Sequence, residues 1–300
     1  MKTYLSIFLI GFLCAGCLGR RTTNDNSDNG TATDSAVVAT ASAPASDSIS
    51  RADTANRTFT RHGPFVENDT TFLFQSSDYN PHGGYIRHCR AYIDKNRDSE
   101  SHRLLDACST PDYDDWSRDN FAQSLDILKK EQHPGSFPVH SLQDCPRTWI
   151  PIDSYRGEYY VDMLYWYPIW INDSLFVRQM MDGPYPSVID AFERIDSAHY
   201  RFRTTAGYPD VQQADIFIVD SVRKIAVFAF SNDNDSRKKP LFYGLYAPLE
   251  TARELDLVEW DFTDLPDGDE IAWDRLDFEA MIAGRISGDA DRNKENEREE

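Results

Sequence analysis

"DIFIVDSVRKIAVFAF", residues 215–230, decides how the chain is read. "DIFIV" and "KIAVFAF" are β-branched and aromatic, and each is the length of a strand rather than of a helix. Between them stands Asp220-Ser221-Val222-Arg223. Asp and Ser hydrogen-bond nearby backbone and so favour turns. Two strands and a short polar turn make an antiparallel hairpin.

The same texture extends on both sides. "AHYRFRT" (198–204) alternates Tyr200 and Phe202 with His199, Arg201 and Arg203, and "SLFVRQM" (174–180) is closed by the turn residues Asp182-Gly183-Pro184. "LFYGLYAP" (241–248) reads as a further strand. Asp-Ser recurs at 153, 173, 196 and 220, mostly at strand borders. A regular interval between similar turns implies an antiparallel meander. The fold class expected is therefore mainly β or α+β. The meander of residues 149–249 forms a barrel or sandwich, with lipocalin-like barrels as the analogy of strand pattern, and a few helices lie at its N- and C-terminal sides.

The flanks read differently. Residues 58–148 are polar and mixed: "TTFLF" (70–74) is a short strand, and "YIRHCRAYIDK" (85–95) and "SHRLLDACS" (101–109) are short helices. "WSRDNFAQSLDILKKEQHPG" (116–135) is the clearest helix. Phe121, Leu125 and Leu128 fall at i, i+4 and i+7, Lys129 and Lys130 suit the C-terminal dipole, and His133-Pro134-Gly135 stops it. Residues 250–286, with "LETAREL" and "PDGDEIAWDRLDFEAMIAG", read as a helical end. Together 58–286 form the globular domain, followed by a disordered acidic tail, 287–300.

At the other terminus, Lys2 precedes the apolar run "YLSIFLIGFL" (4–13), which is shorter than the roughly 20 residues a bilayer span needs. Ala15-Gly16-Cys17 follows. This resembles the lipobox of bacterial lipoproteins, although Cys14 stands where Leu is commoner. The resemblance implies a signal peptide over 1–16, cleavage after Gly16 and acylation of Cys17. Leu18 after that cysteine favours, by the same resemblance, the outer membrane. Residues 17–57 then form a lipidated Cys and a spacer rich in Ser, Thr and Ala. The stretch "RRTTNDNSDNGTATDSAVVATASAPASDSISRADTANR" (20–57) lacks aromatics and cannot repay ordering by burial. The partners expected are the membrane, through N-terminal acyl chains, and an unknown envelope protein or small ligand. A net charge of −19 excludes nucleic acid as a partner, since phosphate binding needs a basic surface.

Asp-Ser/Thr followed by an apolar residue or Thr occurs seven times, where composition predicts roughly 1.6. The pattern resembles the O-glycosylation sequon of exported proteins in one group of Gram-negative bacteria. That implies Ser35, Ser48, Thr54, Thr70, Ser174, Ser197 and Ser221 as acceptors. A Ser/Thr-rich spacer and Asp-Ser turns would produce the same triplets without an enzyme. In an oxidising envelope Cys89, Cys108 and Cys145 allow one disulfide, and Cys89–Cys108 is the nearest pair. Three reduced, buried thiols are the alternative.

No GxSxG elbow, HExxH or phosphate-binding loop occurs, and no cofactor or metal is expected: the histidines near Cys89 and Cys108 meet no zinc-ligand spacing. The unusual segment is "YYVDMLYWYPIW" (159–170). It reads either as a central strand covered on both faces or as the lining of an apolar or sugar-stacking pocket by Tyr165, Trp166 and Trp170. The function expected is non-enzymatic binding by a tethered envelope lipoprotein. One rival is a small-ligand or glycan carrier. Another is an envelope hydrolase using Glu158 and Asp162, which requires a raised carboxyl pKa.

Overall fold

A computed structural model describes residues 58–80, 82–205, 211–232, 240–264 and 270–285. Cys17, the spacer, the acidic tail and the acceptors Ser35, Ser48 and Thr54 lie outside the described residues. Among the described residues, fourteen strands make one closed barrel and one six-stranded sheet.

The barrel uses β4 (Thr148–Pro151), β7 (Ile169–Ile171), β8 (Leu175–Met180), β9 (Gly183–Asp196), β10 (His199–Thr205), β11 (Gln213–Asp220), β12 (Ile225–Ser231) and β13 (Phe242–Pro248). Each pairs antiparallel with its successor, and Pro248 opposite Trp149 closes the ring. The connectivity is up-and-down, the expected meander realised as a barrel rather than a sandwich. Turns two strands apart fall at the same end of such a barrel. Hence Asp173-Ser174, Asp196-Ser197 and Asp220-Ser221 share one rim. Asp196 Oδ1 accepts from Ala198 N, and Asp220 Oδ1 from Val222 N and Arg223 N; in the first turn Asn172 does this work. Asp153-Ser154 departs from the pattern and lies inside a strand, β5.

Strand β12 shows why the ring closes. Ala226, Phe228 and Phe230 belong to one buried cluster, while Ile225 and Val227 belong to another. The first cluster also draws Trp149, Ile171, Phe176, Ile189, Tyr200, Phe202, Ile216 and Tyr246, so all eight strands contribute to it. Only a lumen can collect side chains in that way. It is filled: Trp149 meets Phe228 edge-on at 5.1 Å, and Phe228 lies 4.5 Å from Tyr246. Eight strands leave room for side chains or one small ligand, and here side chains take it. One mouth is plugged by Leu142 and Cys145 from the segment before β4.

The second sheet has the order β1 (Phe59–Glu67), β2 (Thr70–Asn80), β3 (Tyr85–Asp94), β14 (Asp256–Phe262), β6 (Glu158–Asp162), β5 (Asp153–Tyr155), antiparallel except for β14 beside β6. The hairpin β5–β6 is an excursion from the barrel between β4 and β7. Its turn is Arg156-Gly157, both with positive φ (56° and 83°), as a two-residue hairpin requires.

Two expectations are corrected here. "YIRHCRAYIDK" is strand β3, not a helix, because Cys89, Ala91 and Ile93 alternate inward against Arg90 and Tyr92. The helical end is only partly helical. Leu249–Ala252 (α3) and residues 278–285 are helices, but β14 lies between them, with Val258 buried and Trp260 and Phe262 on the same face. Helices α1 (Glu100–Ala107) and α2 (Asp115–Ile127) are capped by Ser99 and Asp114, and a π turn (Leu128–Gln132) ends the second. α2 lies against β9 so closely that a Cβ at Gly183 would sit 2.6 Å from Asn120 Cβ.

Candidate functional site

The aromatic run does not form one strand. Residues 159–162 lie in β6 of the sheet, 163–168 are irregular and 169–170 enter β7 of the barrel. Trp170 therefore points outward from the barrel wall. Tyr113 lies against it, ring centroids 5.8 Å apart, and Trp166 joins the same outer cluster. Tyr165 does not; it is 41% exposed.

The chain after α1 is stitched to this wall. Trp170 Nε1 donates to Cys108 O at 3.1 Å, and Thr148 Oγ1 donates to Ser109 O at 2.9 Å. Between that loop and the β7–β8 turn opens a cleft of about 330 Å³. Ser109, Thr110 and Pro111 form one side, Asn172 and Asp173 the other, and Trp170 and Val177 the floor. Trp170 is only 3% exposed, so little of its ring is open to a ligand. A second cleft, about 510 Å³, lies beneath residues 139–143. Arg147 and Asp173 line both, and their ion pair of 2.8 Å stands where the two meet. His140 N donates to Asp173 O (2.8 Å). Its Nε2 lies 2.9 Å from Ile189 O; a carbonyl only accepts, so Nε2 carries the proton there.

The carboxylates gather elsewhere. Glu158 is exposed beside the Arg156-Gly157 turn. Asp162 is buried: its Oδ1 accepts from Trp260 Nε1 (2.7 Å) and Leu164 N (2.9 Å), while Oδ2 has no hydrogen-bond partner. Burial pushes its pKa up to about 6. Glu259 adds repulsion to Asp162, and Asp162 in turn acts on Asp153, whose pKa burial, then repulsion from Asp162, pushes up to about 7. Asp153 stands opposite Tyr160, two residues before Asp162, which puts both carboxyls on one face of the sheet. That register is readable once Arg156-Gly157 is taken as a hairpin turn. Neither residue lines either cleft.

Sequence reasoning also missed a buried polar group on the outer wall of β10–β11. His199 Nε2 lies 2.6 Å from Asp215 Oδ1, which also accepts from Arg201 Nε at 2.8 Å, and Gln213 donates to Oδ2 at 2.6 Å. Burial alone would raise the Asp215 pKa; these hydrogen bonds hold it below the usual carboxylate value. The signal was the alternation His199-x-Arg201 opposite Asp215, on strands whose other face is apolar.

Of the two readings of the cysteines, the structure holds three reduced thiols rather than a Cys89–Cys108 disulfide. Cys89, Cys108 and Cys145 are free and buried, each in a different core cluster, so no two are positioned to join. Of the described acceptor residues, Ser197 and Ser221 are exposed on the turn rim, and Ser174 and Thr70 are half-buried. Among the described residues no three His, Cys, Asp or Glu side chains gather to hold a metal ion, and no helix is long and apolar enough to cross a membrane. No protein-family model matches the chain, and no curated protein or solved structure is significantly similar to it.

Proposed function

We propose that the chain is a membrane-tethered envelope lipoprotein whose globular part binds a small ligand on the outer wall of its barrel, without turning it over. The observation that carries the binding part is the Trp170-floored cleft with Arg147 and Asp173 at its edge. It has the composition of a small-molecule site: an apolar floor and a few placed polar groups. The filled lumen moves the carrier idea from the inside of the barrel to its outside. The tether rests on the lipobox-like Ala15-Gly16-Cys17, and the favoured membrane is the outer one.

The first test is intact mass of protein taken from its native membrane, beside a Cys17→Ala variant. An acylated Cys17 at the mature N-terminus supports the tether, and an unprocessed chain refutes it. Sugar-sized increments lost on Ser197→Ala and Ser221→Ala would assign the rim serines as glycan acceptors. For binding, intrinsic tryptophan fluorescence is followed as candidate ligands are added; a response abolished by Thr110→Trp, which fills the cleft, locates it.

A hydrolase reading draws on the raised pKa values of Asp153 and Asp162, which lie near neutrality as acid–base chemistry requires. Against it, Asp162 is only 2% exposed and lies outside both clefts. Hydrolytic activity lost in an Asp153→Asn/Asp162→Asn double variant would restore that reading.

A further inference from the structure

The two clefts adjoin at Arg147 and Asp173, which line both, and together make a trough with that ion pair across it. Arg147 and Asp173 are about half exposed, so their contact is a surface ion pair of small net worth, readily exchanged for contacts with a ligand. We infer that the trough takes a neutral, hydroxyl-rich ligand, a saccharide of at least two units lying across Arg147 and Asp173. This deepens the binding reading proposed above and rests on it.

Charge is the first argument. Arg147 and Asp173 are the lining residues with a fixed charge, and they cancel. An anionic ligand such as a phosphate would be repelled by the Asp173 carboxylate that stands 2.8 Å from the guanidinium it needs. A cation would meet the reverse. A ligand with no charge loses nothing on either count.

Hydrogen-bonding capacity is the second. The guanidinium only donates and the carboxylate only accepts, side by side at 2.8 Å. A hydroxyl does both. Two neighbouring hydroxyls can therefore satisfy the two charged groups together, one as acceptor from Arg147 and one as donor to Asp173. Thr110 on one side and Ser141 and Gln143 on the other add side chains that both donate and accept. An apolar ligand would instead strip water from all of these without replacing it, at a cost for each.

Shape is the third. Each cleft falls in the range of small-molecule sites, about 300–1,000 Å³. A ligand that used both would have two parts joined across the ion pair. The unequal linings give those parts different surroundings. The smaller cleft, lined by Pro111, Val177 and Trp170, is the more apolar and suits the C–H side of a sugar ring, while the larger is more polar.

The test uses the full chain carrying Cys17→Ala, so that lipid does not interfere. Neutral di- and trisaccharides, their constituent monosaccharides, inorganic phosphate and an uncharged apolar dye (Nile red) are titrated by calorimetry and tryptophan fluorescence. The expected result is saturable binding of at least one neutral oligosaccharide, at least tenfold weaker for its monosaccharide. Arg147→Ala, Arg147→Lys and Asp173→Ala should each weaken it at least tenfold. These residues are exposed, and an unchanged thermal midpoint checks that each variant folds. Saccharide binding indifferent to these substitutions overturns the inference, as does tight phosphate binding. If the dye binds, Thr110→Trp abolishes that binding and no saccharide binds, the saccharide class falls while the cleft remains a binding site. If nothing binds, both fall.

Discussion

Replacing Asp162 with Asn should make the protein more stable at pH 8 and less dependent on pH. In the native structure the Asp162 carboxyl is raised from 3.8 to about 6, because burial penalises its charge. The difference is worth ~3 kcal/mol. The sign follows from proton binding. The native state holds this proton more tightly than the unfolded chain does. The stabilisation is fully present below about pH 4 and is lost as pH rises through about 6. Asp153, raised to about 7, acts in the same direction over a wider window. At pH 8 Asp162 is ionised with Oδ2 buried and without a partner.

An asparagine keeps an oxygen where Trp260 and Leu164 donate. It places an NH₂ group where Oδ2 has nothing to bond, costing ~1 kcal/mol. The expected balance is a gain of ~2 kcal/mol at pH 8 and a loss of ~1 kcal/mol at pH 4.5. Because Asp162 charge also raises Asp153, the variant should shift the remaining pH dependence to lower pH. Urea unfolding of the full chain, followed by tryptophan fluorescence at pH 4.5, 6 and 8, measures all of this. Carboxylates held low elsewhere, Asp94, Asp215 and Asp220, oppose the trend but are common to both proteins, so the difference isolates the pair. A variant that tracks its parent at every pH would refute the reasoning, as would one less stable at pH 8.

Burial pushes the Cys89 and Cys145 thiols up to about 12 and Cys108 higher still, so iodoacetamide at pH 8 should leave all three unmodified until the protein unfolds; mass spectrometry reads the labels, and a fast native label would contradict the burial. Phe228→Ala removes the ring between Trp149 and Tyr246 and should cost ~3–5 kcal/mol in urea unfolding, with a cost under ~1 kcal/mol indicating a loose lumen. Gly183→Ala should lose more stability than Gly157→Ala: both have positive φ, but a Cβ at 157 meets open space and one at 183 meets Asn120. Asp220→Ala leaves the Val222 and Arg223 amides without their acceptor and should lower stability by ~1 kcal/mol, measured by the same unfolding curves.

The barrel was legible because its signals are local. Apolar alternation and Asp-Ser turns lie within a few residues of one another, and an up-and-down ring pairs neighbours in sequence. The other sheet was not, because its local hairpins are joined only through β14, whose pairings with β3 and β6 are long-range. β3 displays Cys89-x-Ala91-x-Ile93, but small inward residues among Arg and His hide a period of two. β14 carries Val258-x-Trp260-x-Phe262 within an acidic stretch that favours a helical reading. Its neighbours, β3 and β6, are distant in sequence. The site was legible in part. Trp166 and Trp170 were picked out and do gather around Tyr113, while the polar half of the trough, Arg147 and Asp173, shares no local motif. Glu158 was preferred to Asp153 because only the hairpin register shows which acid faces Asp162.

The place of β14 sets an order of assembly. Among the described residues it is the last strand, yet it is hydrogen-bonded to β3 on one side and to β6 on the other. A chain that emerges N-terminus first therefore carries β1–β3 with the edge of β3 bare until residues 256–262 arrive. The barrel closes only just before, when β13 reaches β4. Bare strand edges recruit other chains, and non-local pairing delays folding. Truncation before Asp256 would spare every barrel strand and still leave two sheet edges open, a species suited to aggregation.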